Sequence, residues 1–516
     1  MPRLSPNGVP GTVPGILLMT DQKALLVSVC SVLLAGMVFL QSARISSAQG
    51  TDENSLYAVA LGAYKDGFHD LAIDQFSQLL RLYPNSPKVP YAQFRIAESY
   101  FKQKNYEQSL TWYQKLLDQY PDKSDLLDKA LYRLGQLYFF KKDYEKADSF
   151  YQKLLGQCPG SRLAGDALFW SAESNSQAGK WKEASQSYRQ FLNNYPNHSH
   201  AADAAYGLGS AYLKLQDEGQ ALKAFQELTT RYPQNKQQVA KAWLNMADVE
   251  YRSGNYGKAA QNYQKVVHDY PDSPDIRLAL YGAGLSFYQA QQFPKALEMY
   301  QQFLEKYPKD DLAETAAFQS GFMEFKLEKY SLAAGRLEAF IHSYGKSMYL
   351  PEAWYYLALS NQKLGKQDLA GQQLNRIVRE FKSNPIADSA WLQLGAISYQ
   401  SRQFPQAVRA YESASGSADR NVAAEALYWL GESWASQKNY DKAVQILLQI
   451  PRQYDGIAHW AVMAQMRAAG IYEHRGELNK ALELYEKVAK SKSENQLRPT
   501  ALQRIEKLRS QIKGSP

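Results

Sequence analysis

Small and large apolar side chains follow one another along this chain with a long period. A small residue stands at Ala72, Ser109, Ala147, Ala184, Ala221, Ala259, Ala296, Ala333, Ala370, Ala407, Ala443 and Ala481, in steps of 36 to 38 residues. Twelve residues before each is another, from Ala60, Ala97 and Gly135 to Gly431 and Ala469. Four residues after it comes a ring or a leucine, as in Phe76, Tyr113, Tyr151, Tyr188, Phe225, Tyr263 and Tyr300. Four residues make one helical turn, so ring and small residue share a face. Two small residues on facing helices let the backbones approach closely, and the pattern predicts a helical hairpin repeated about twelve times.

The boundaries are marked by Tyr-Pro followed by polar residues: Tyr83-Pro84-Asn85-Ser86, Tyr120-Pro121-Asp122, Tyr195-Pro196-Asn197, Tyr232-Pro233-Gln234, Tyr270-Pro271-Asp272-Ser273 and Tyr307-Pro308-Lys309, with Cys158-Pro159-Gly160-Ser161 as a degenerate copy. Proline ends a helix, and the Ser, Asp or Asn after it offers a capping oxygen to the next. Pairs such as Ser86-Pro87, Ser273-Pro274 and Asn384-Pro385 predict about one added turn on the following helix. Two places break the rhythm. Tyr344-Gly345 and Phe381-Lys382 lack the proline, and residues 412–421 run into Gly416 with small side chains, a candidate hinge. The chain is read as twelve repeats over 55–493 and a capping helix and tail over 494–516, where Ala501, Ile505, Leu508 and Ile512 recur at helical spacing.

This pattern resembles the tetratricopeptide repeat, with its small, aromatic, small, aromatic and proline positions and a period stretched beyond that family's usual 34. The resemblance implies an all-α fold, a TPR-like α-solenoid wound as a right-handed superhelix of about twelve helix-turn-helix units. Stretches such as Asp269-Tyr270-Pro271-Asp272-Ser273-Pro274 are similar to two envelope members of the family: the periplasmic tetratricopeptide protein of the Tol-Pal system and the lipoprotein subunit of the outer-membrane β-barrel assembly machinery. Neither a trimerisation segment nor a lipid-modified cysteine accompanies the likeness, since Cys30 follows Val29 in the middle of an apolar run.

That run, Ala24 to Leu40, follows Lys23 and precedes Ser46-Ser47-Ala48. Residues 1–48 are read as a signal peptide or an N-terminal membrane anchor, and 49–54 as a short linker, with a mature chain from Gln49 in the periplasm or, if anchored, facing it. Of the formal charge of +8, the segment 1–48 holds Arg3, Lys23 and Arg44 against Asp21, leaving about +6. Lysines alternate with acids and form no basic block, which argues against nucleic acid. Only Cys158 remains after such a cleavage, so the mature chain has no internal disulfide.

No catalytic, cofactor or metal site emerges. His198-Ser199-His200 lies in a Tyr-Pro loop, where turn and capping roles outweigh metal binding. Glu98-Ser99, Glu173-Ser174 and Glu432-Ser433 match the catalytic pair of peptidoglycan-cleaving enzymes that carry helical superhelices, yet all three fall at one repeat position. In the resembled fold the first helices line the concave side, and the residues 15 and 8 before each small marker point into it. Tyr206, Tyr251, Tyr281, Tyr288, Phe318, Phe325 and Tyr355 are the candidate partner-binding residues, able to hold an extended peptide, a helix or a polysaccharide or else simply to pack. The carboxylate clamp of cytosolic co-chaperones is excluded, because rings replace its lysines, and Gln136, Glu173, Ser210, Asp248 and Leu285 stand where its asparagines would be. The expected function is a non-enzymatic scaffold of the bacterial cell envelope that binds proteins. The alternatives are a scaffold of polysaccharide export and a peptidoglycan-cleaving enzyme.

Overall fold

The structure is a computed structural model that describes residues 52–454, 456–491 and 496–513. The proposed leader or anchor, its cleavage site and the start of the linker lie outside the described residues. All regular structure described is helical, in twelve antiparallel pairs and a last helix, Arg498–Lys513. The first pair is Glu53–Lys65 with His69–Leu82 and the seventh Ile276–Gln289 with Phe293–Lys306. The chain divides into two compact units, one ending at Ala224 and one beginning at Phe225. Within each, successive helices pack against one another, and first helices also touch the first helices of neighbouring repeats. That is the pairing of a tetratricopeptide-like solenoid.

The twelve marker residues are all fully buried. Where the partner position twelve residues earlier is glycine, the reason is the ring or leucine one turn past the marker. A Cβ on Gly135 would lie 2.5 Å from Tyr151, one on Gly284 2.8 Å from Tyr300, and one on Gly431 2.7 Å from Leu447. The same rings limit the next repeat: a Cβ on Gly207 would lie 2.5 Å from Tyr188, and one on Gly282 2.6 Å from Tyr263. Each such ring is therefore clamped between two helices. Gly284→Ala is expected to destabilise the fold by about 1–2 kcal/mol, because overpacking outweighs the gain in helix propensity. Gly335→Ala, with open space around its Cβ, should stabilise by about 0.5–1 kcal/mol. Chemical denaturation of the two variants checks the opposite signs.

The boundary motif acts at several points. Tyr83, Tyr120, Tyr195, Tyr270 and Tyr307 end their helices with φ near −130° and an amide bonded to the carbonyl four residues back. Tyr344 and Phe381, which lack the proline, end theirs in nearly the same way, with φ of −121° and −120°. Cys158, which has the proline but no ring, does the same at φ −129°, so neither proline nor ring is indispensable to the stop. The expected capping oxygens are present but act one step earlier than a helix cap. Ser86 Oγ accepts from the Lys88 amide at 3.0 Å, Ser161 from Leu163, Asp310 from Leu312 and Asn384 from Ile386. Each closes a turn before the helix, so Pro87 and Pro274 lie in that turn. The added turn becomes α-helical in repeats without this device, as in Ser124–Phe140 and Lys236–Arg252, of 17 residues each.

At several junctions the same loop ties a repeat to the one before. Ser86 Oγ donates to Glu53 at 2.6 Å, Ser161 to Asp128 at 2.6 Å and Ser347 to Glu314 at 2.5 Å. At one junction the polarity is reversed: Asp310 accepts two bonds of 2.9 Å from Arg277. Within hairpins the connecting turn holds one left-handed residue in every repeat, a glycine in five cases and Lys104, Lys142, Gln216, Gln291, Glu328, Arg402 or Lys438 in the others.

Around 412–421 the second helix, Phe404–Ala414, has 11 residues where most have 14. Ala414 is buried, and Asp419 caps the next helix by accepting from the amides of Asn421 and Val422. One apolar cluster runs from Leu392 through Tyr411 and Leu427 to Leu508. A further break, which the repeat pattern does not announce, falls between Tyr440–Leu447 and Ile450–Gln453. Pro451 explains it, since it has no amide to donate to the preceding turn. In the last helix Ala501, Ile505 and Leu508 are buried against the final repeat.

Candidate functional site

The first helices set their rings side by side on one face of each unit. Tyr206 is half-buried there. Tyr251 packs on Tyr256 at 5.2 Å, and Tyr281 meets Tyr300 at 6.0 Å and Phe303 at 5.9 Å. Tyr288 touches Phe293 and Phe322, and Phe325 touches Tyr330 and Tyr356. Phe322 lies 4.6 Å from Tyr356, so Tyr288, Phe322, Tyr356 and Phe325 form one connected row across repeats seven to nine. Tyr355 adjoins Tyr356 at 5.6 Å, and burial pushes its hydroxyl up to about 12. Phe318 differs. It is 6% exposed, with Tyr349 stacked on it at 4.9 Å and nearly parallel, so its ring is packing. Phe322, Tyr349 and Tyr356 were missed by the offset rule, which counted two positions per helix where the face uses at least four.

A second layer lies beneath the rings. The acid eleven residues before the marker accepts from the hydroxyl four after it, as in Tyr113 to Glu98, Tyr188 to Glu173 and Tyr263 to Asp248. Where that position is Gln136 or Leu285, the buried hydroxyls of Tyr151 and Tyr300 have no hydrogen-bond partner. Tyr300→Phe is therefore expected to be neutral or slightly stabilising, whereas Tyr113→Phe, which strips a bond from a buried carboxylate, should cost about 1–3 kcal/mol. Thermal unfolding of the pair reads the difference. This layer also accounts for the Glu-Ser pairs. Ser99, Ser174 and Ser433 donate to carbonyls one turn back on their own helices, at 2.7 to 2.8 Å. Glu98 is held by Arg133 and Tyr113, Glu173 by Tyr188 and Glu432 by Arg467.

The environments of these acids diverge. Burial raises the Glu173 carboxyl above the usual range, only partly offset by Tyr188, and burial raises Asp248 in the same way. Burial also acts against the charge of Glu98, but Arg133, through hydrogen bonds and charge, with help from Tyr113, outweighs it and holds that carboxyl low.

The histidines do turn work. His198 Nδ1 accepts from the His200 amide at 3.3 Å, taking the place that Ser86 or Ser161 has elsewhere, and His200 stacks on Phe169 at 4.3 Å. Asp166 stands 3.7 to 3.8 Å from both imidazoles. Among the described residues no group of three or more His, Cys, Asp or Glu side chains could hold a metal ion, and no helix is long and apolar enough to cross a membrane.

Two family models, both described as tetratricopeptide repeat, match the sequence, one over 88–158 and the other over 171–236, 244–311, 324–385 and 392–456. The second alone covers more than half of the chain. The chain belongs to the tetratricopeptide repeat family. Such tetratricopeptide repeats generally bind protein partners and are typically non-enzymatic scaffolds. A search of curated proteins finds no match. Among solved structures, the chain is similar to one titled Structure of Naa15/Naa10 bound to HypK-THB, at 15% identity over 89% of this chain and 67% of that one, with a TM-score of 0.38. It is similar to the yeast Tom70 crystal structure at 15% identity over 89% and 96%, TM-score 0.34. MamA is similar at 22% identity over 36% of this chain and 94% of its own, TM-score 0.31.

Proposed function

We propose that this tetratricopeptide repeat protein is an exported scaffold of a bacterial cell envelope that holds protein partners along the face of its first helices. The observation that supports this most is the connected row of Tyr288, Phe322, Tyr356 and Phe325: three of its four rings remain partly open, and Lys326 lies over the fourth, Phe322, at 5.3 Å. Rings with one face packed and one free give contact area at little entropic cost, which suits an extended peptide or an amphipathic helix. The apolar run before Ser46-Ser47-Ala48 supports export, with a cleaved leader or a retained anchor as the two forms. Similarity of the lengthened repeats to envelope members of the family favours outer-membrane assembly or Tol-Pal-type complexes over polysaccharide export.

Crosslinking in intact cells, followed by fractionation and identification of the captured protein, tests the proposal. Envelope proteins recovered with the chain, and their loss on Tyr288→Ala with Phe325→Ala, are expected. Recovery with cytosolic proteins alone would overturn the placement. Retention on purified cell-wall or capsular polymer without protein capture would turn the reading toward polysaccharide.

A further inference from the structure

One arginine in the first unit lacks the acid that its counterparts have. Arg133 and Arg467 occupy the same position of the repeat, fourteen residues before the marker, and each reaches the carboxylate of the preceding first helix. Arg133 Nε lies 2.7 Å from Glu98, and Arg467 bonds Glu432. Arg95 holds that position in the second repeat, but the matching residue of the repeat before it is Leu61. Among the described residues Arg95 makes no ion pair. Its guanidinium rests against the rings of Tyr64 at 4.9 Å and Phe94 at 5.8 Å.

It also lines a cleft of about 490 Å³ formed by the first helices and loops of the first four repeats. Tyr57, Tyr91 and Tyr132 wall this space, and Lys129 stands at its edge. Two acids line the cleft: Asp125, which stands 3.9 Å from Lys123, and Glu98, close enough for the Arg95 charge to help hold its carboxyl low. The Glu98 oxygens are already taken by Arg133, Tyr113 and Tyr64. A guanidinium oriented by two ring faces, hydrogen-bonded to the Tyr64 hydroxyl but paired with no carboxylate among the described residues, keeps donors for a carboxylate brought by another molecule.

We propose that the cleft around Arg95 takes an acidic side chain of an extended partner peptide, which supplies in trans the carboxylate that Leu61 denies in cis. This rests on the reading of the protein as a peptide-binding scaffold and names the chemistry of its partner. The tyrosine walls accept an apolar or aromatic neighbour of the acidic residue, and the cleft is of the size that encloses small ligands or a few side chains. Recognition of a single side-chain carboxylate by arginine differs from the lysine and asparagine clamp on a chain terminus, whose residues are absent here.

The test uses the full chain and two fluorescent pools of ~9-residue peptides, about 30 Å when extended. The pools are random except for a central Glu between two apolar residues in one, and a central Gln in the other. The Glu pool is expected to bind about tenfold or more tighter, with the advantage shrinking as salt rises. Arg95→Gln should abolish the difference. Leu61→Glu should abolish it too, because it rebuilds the internal pair seen at Glu98 and Arg133, while leaving the melting midpoint equal or higher. Leu61→Gln should retain binding, which separates the new charge from a loss of packing. Equal binding of both pools, no binding of either, or undiminished preference in Arg95→Gln and Leu61→Glu would overturn the inference. Tighter binding of a polyuronate oligosaccharide than of the Glu pool would overturn it in favour of an acidic glycan. The scaffold reading is judged separately by crosslinking, so capture of a protein partner without acid preference would sink this inference alone.

Discussion

Tyr300→Ala is expected to destabilise the protein by about 3–5 kcal/mol. The ring is fully buried, meets Tyr281 edge-on and sits where a Cβ on Gly284 would be 2.8 Å away. Its removal empties the space that holds the two helices of the seventh repeat together. Tyr288→Ala, on the open face, loses contact with Phe293 and Phe322 but opens no enclosed cavity, and should cost no more than about 1 kcal/mol. Denaturant titration of both variants, followed by partner capture, separates packing from binding. Comparable large losses of stability in the two would remove the ring row from the functional account.

Glu98→Gln carries the second large effect, a loss of about 2–3 kcal/mol at neutral pH, because it leaves the partly buried Arg133 without its carboxylate. The pH dependence has a definite sign. A carboxyl held low in the fold stabilises above the ordinary carboxylate range, and that contribution is lost as pH falls through the folded value. The gap between the natural protein and Glu98→Gln should therefore be full near pH 7 and close in acid. Glu173 has the opposite sign: its carboxyl is raised by burial, so the charged form is a cost present at neutral pH that disappears as pH falls. Glu173→Gln is expected to be neutral or to stabilise by about 1 kcal/mol near pH 7. Its advantage should fade on acidification. Melting curves across pH for the two variants would reveal whether both acids behave alike, which would contradict the assignment.

The hairpin architecture was legible because it is written in side-chain size. A small residue every 37 or so positions, fully buried at Ala72 and at all eleven later copies, leaves little freedom in how the two helices meet. What periodicity could not convey is how each repeat leans on the next. Phe318 occupies the offset of a ligand-facing ring, yet Tyr349 of the following repeat covers it. Phe322 stands where other repeats carry the buried acid and Tyr356 where Arg133 and Arg467 stand, so the row joins positions that hold polar groups elsewhere in the array. The unfilled position beside Arg95 was present as a leucine in the sequence, but it acquires meaning only when Arg133 and Glu98 show which residues of adjacent repeats meet. Pro451 falls inside a second helix, away from the boundary prolines that carry the repeat period, so the period does not single it out.

The contrast between the Ser86, Ser161 and Ser347 junctions and the Arg277–Asp310 junction bears on how a chain of near-copies keeps its modules in order. Similar hairpins can dock on the wrong neighbour during folding, a characteristic failure of repeat proteins. A serine-bearing loop fits any predecessor that offers an acid, but the loop with Asp310 fits one that offers Arg277 and repels the acids used elsewhere. Mispairing that skips a hairpin would set Asp310 against Ala240, which holds the place of Arg277 in the sixth repeat, and forfeit both bonds. The seventh and eighth repeats thus act as a keyed joint, and grafts or deletions in this array should be tolerated when they carry the joint intact and resisted when they split it.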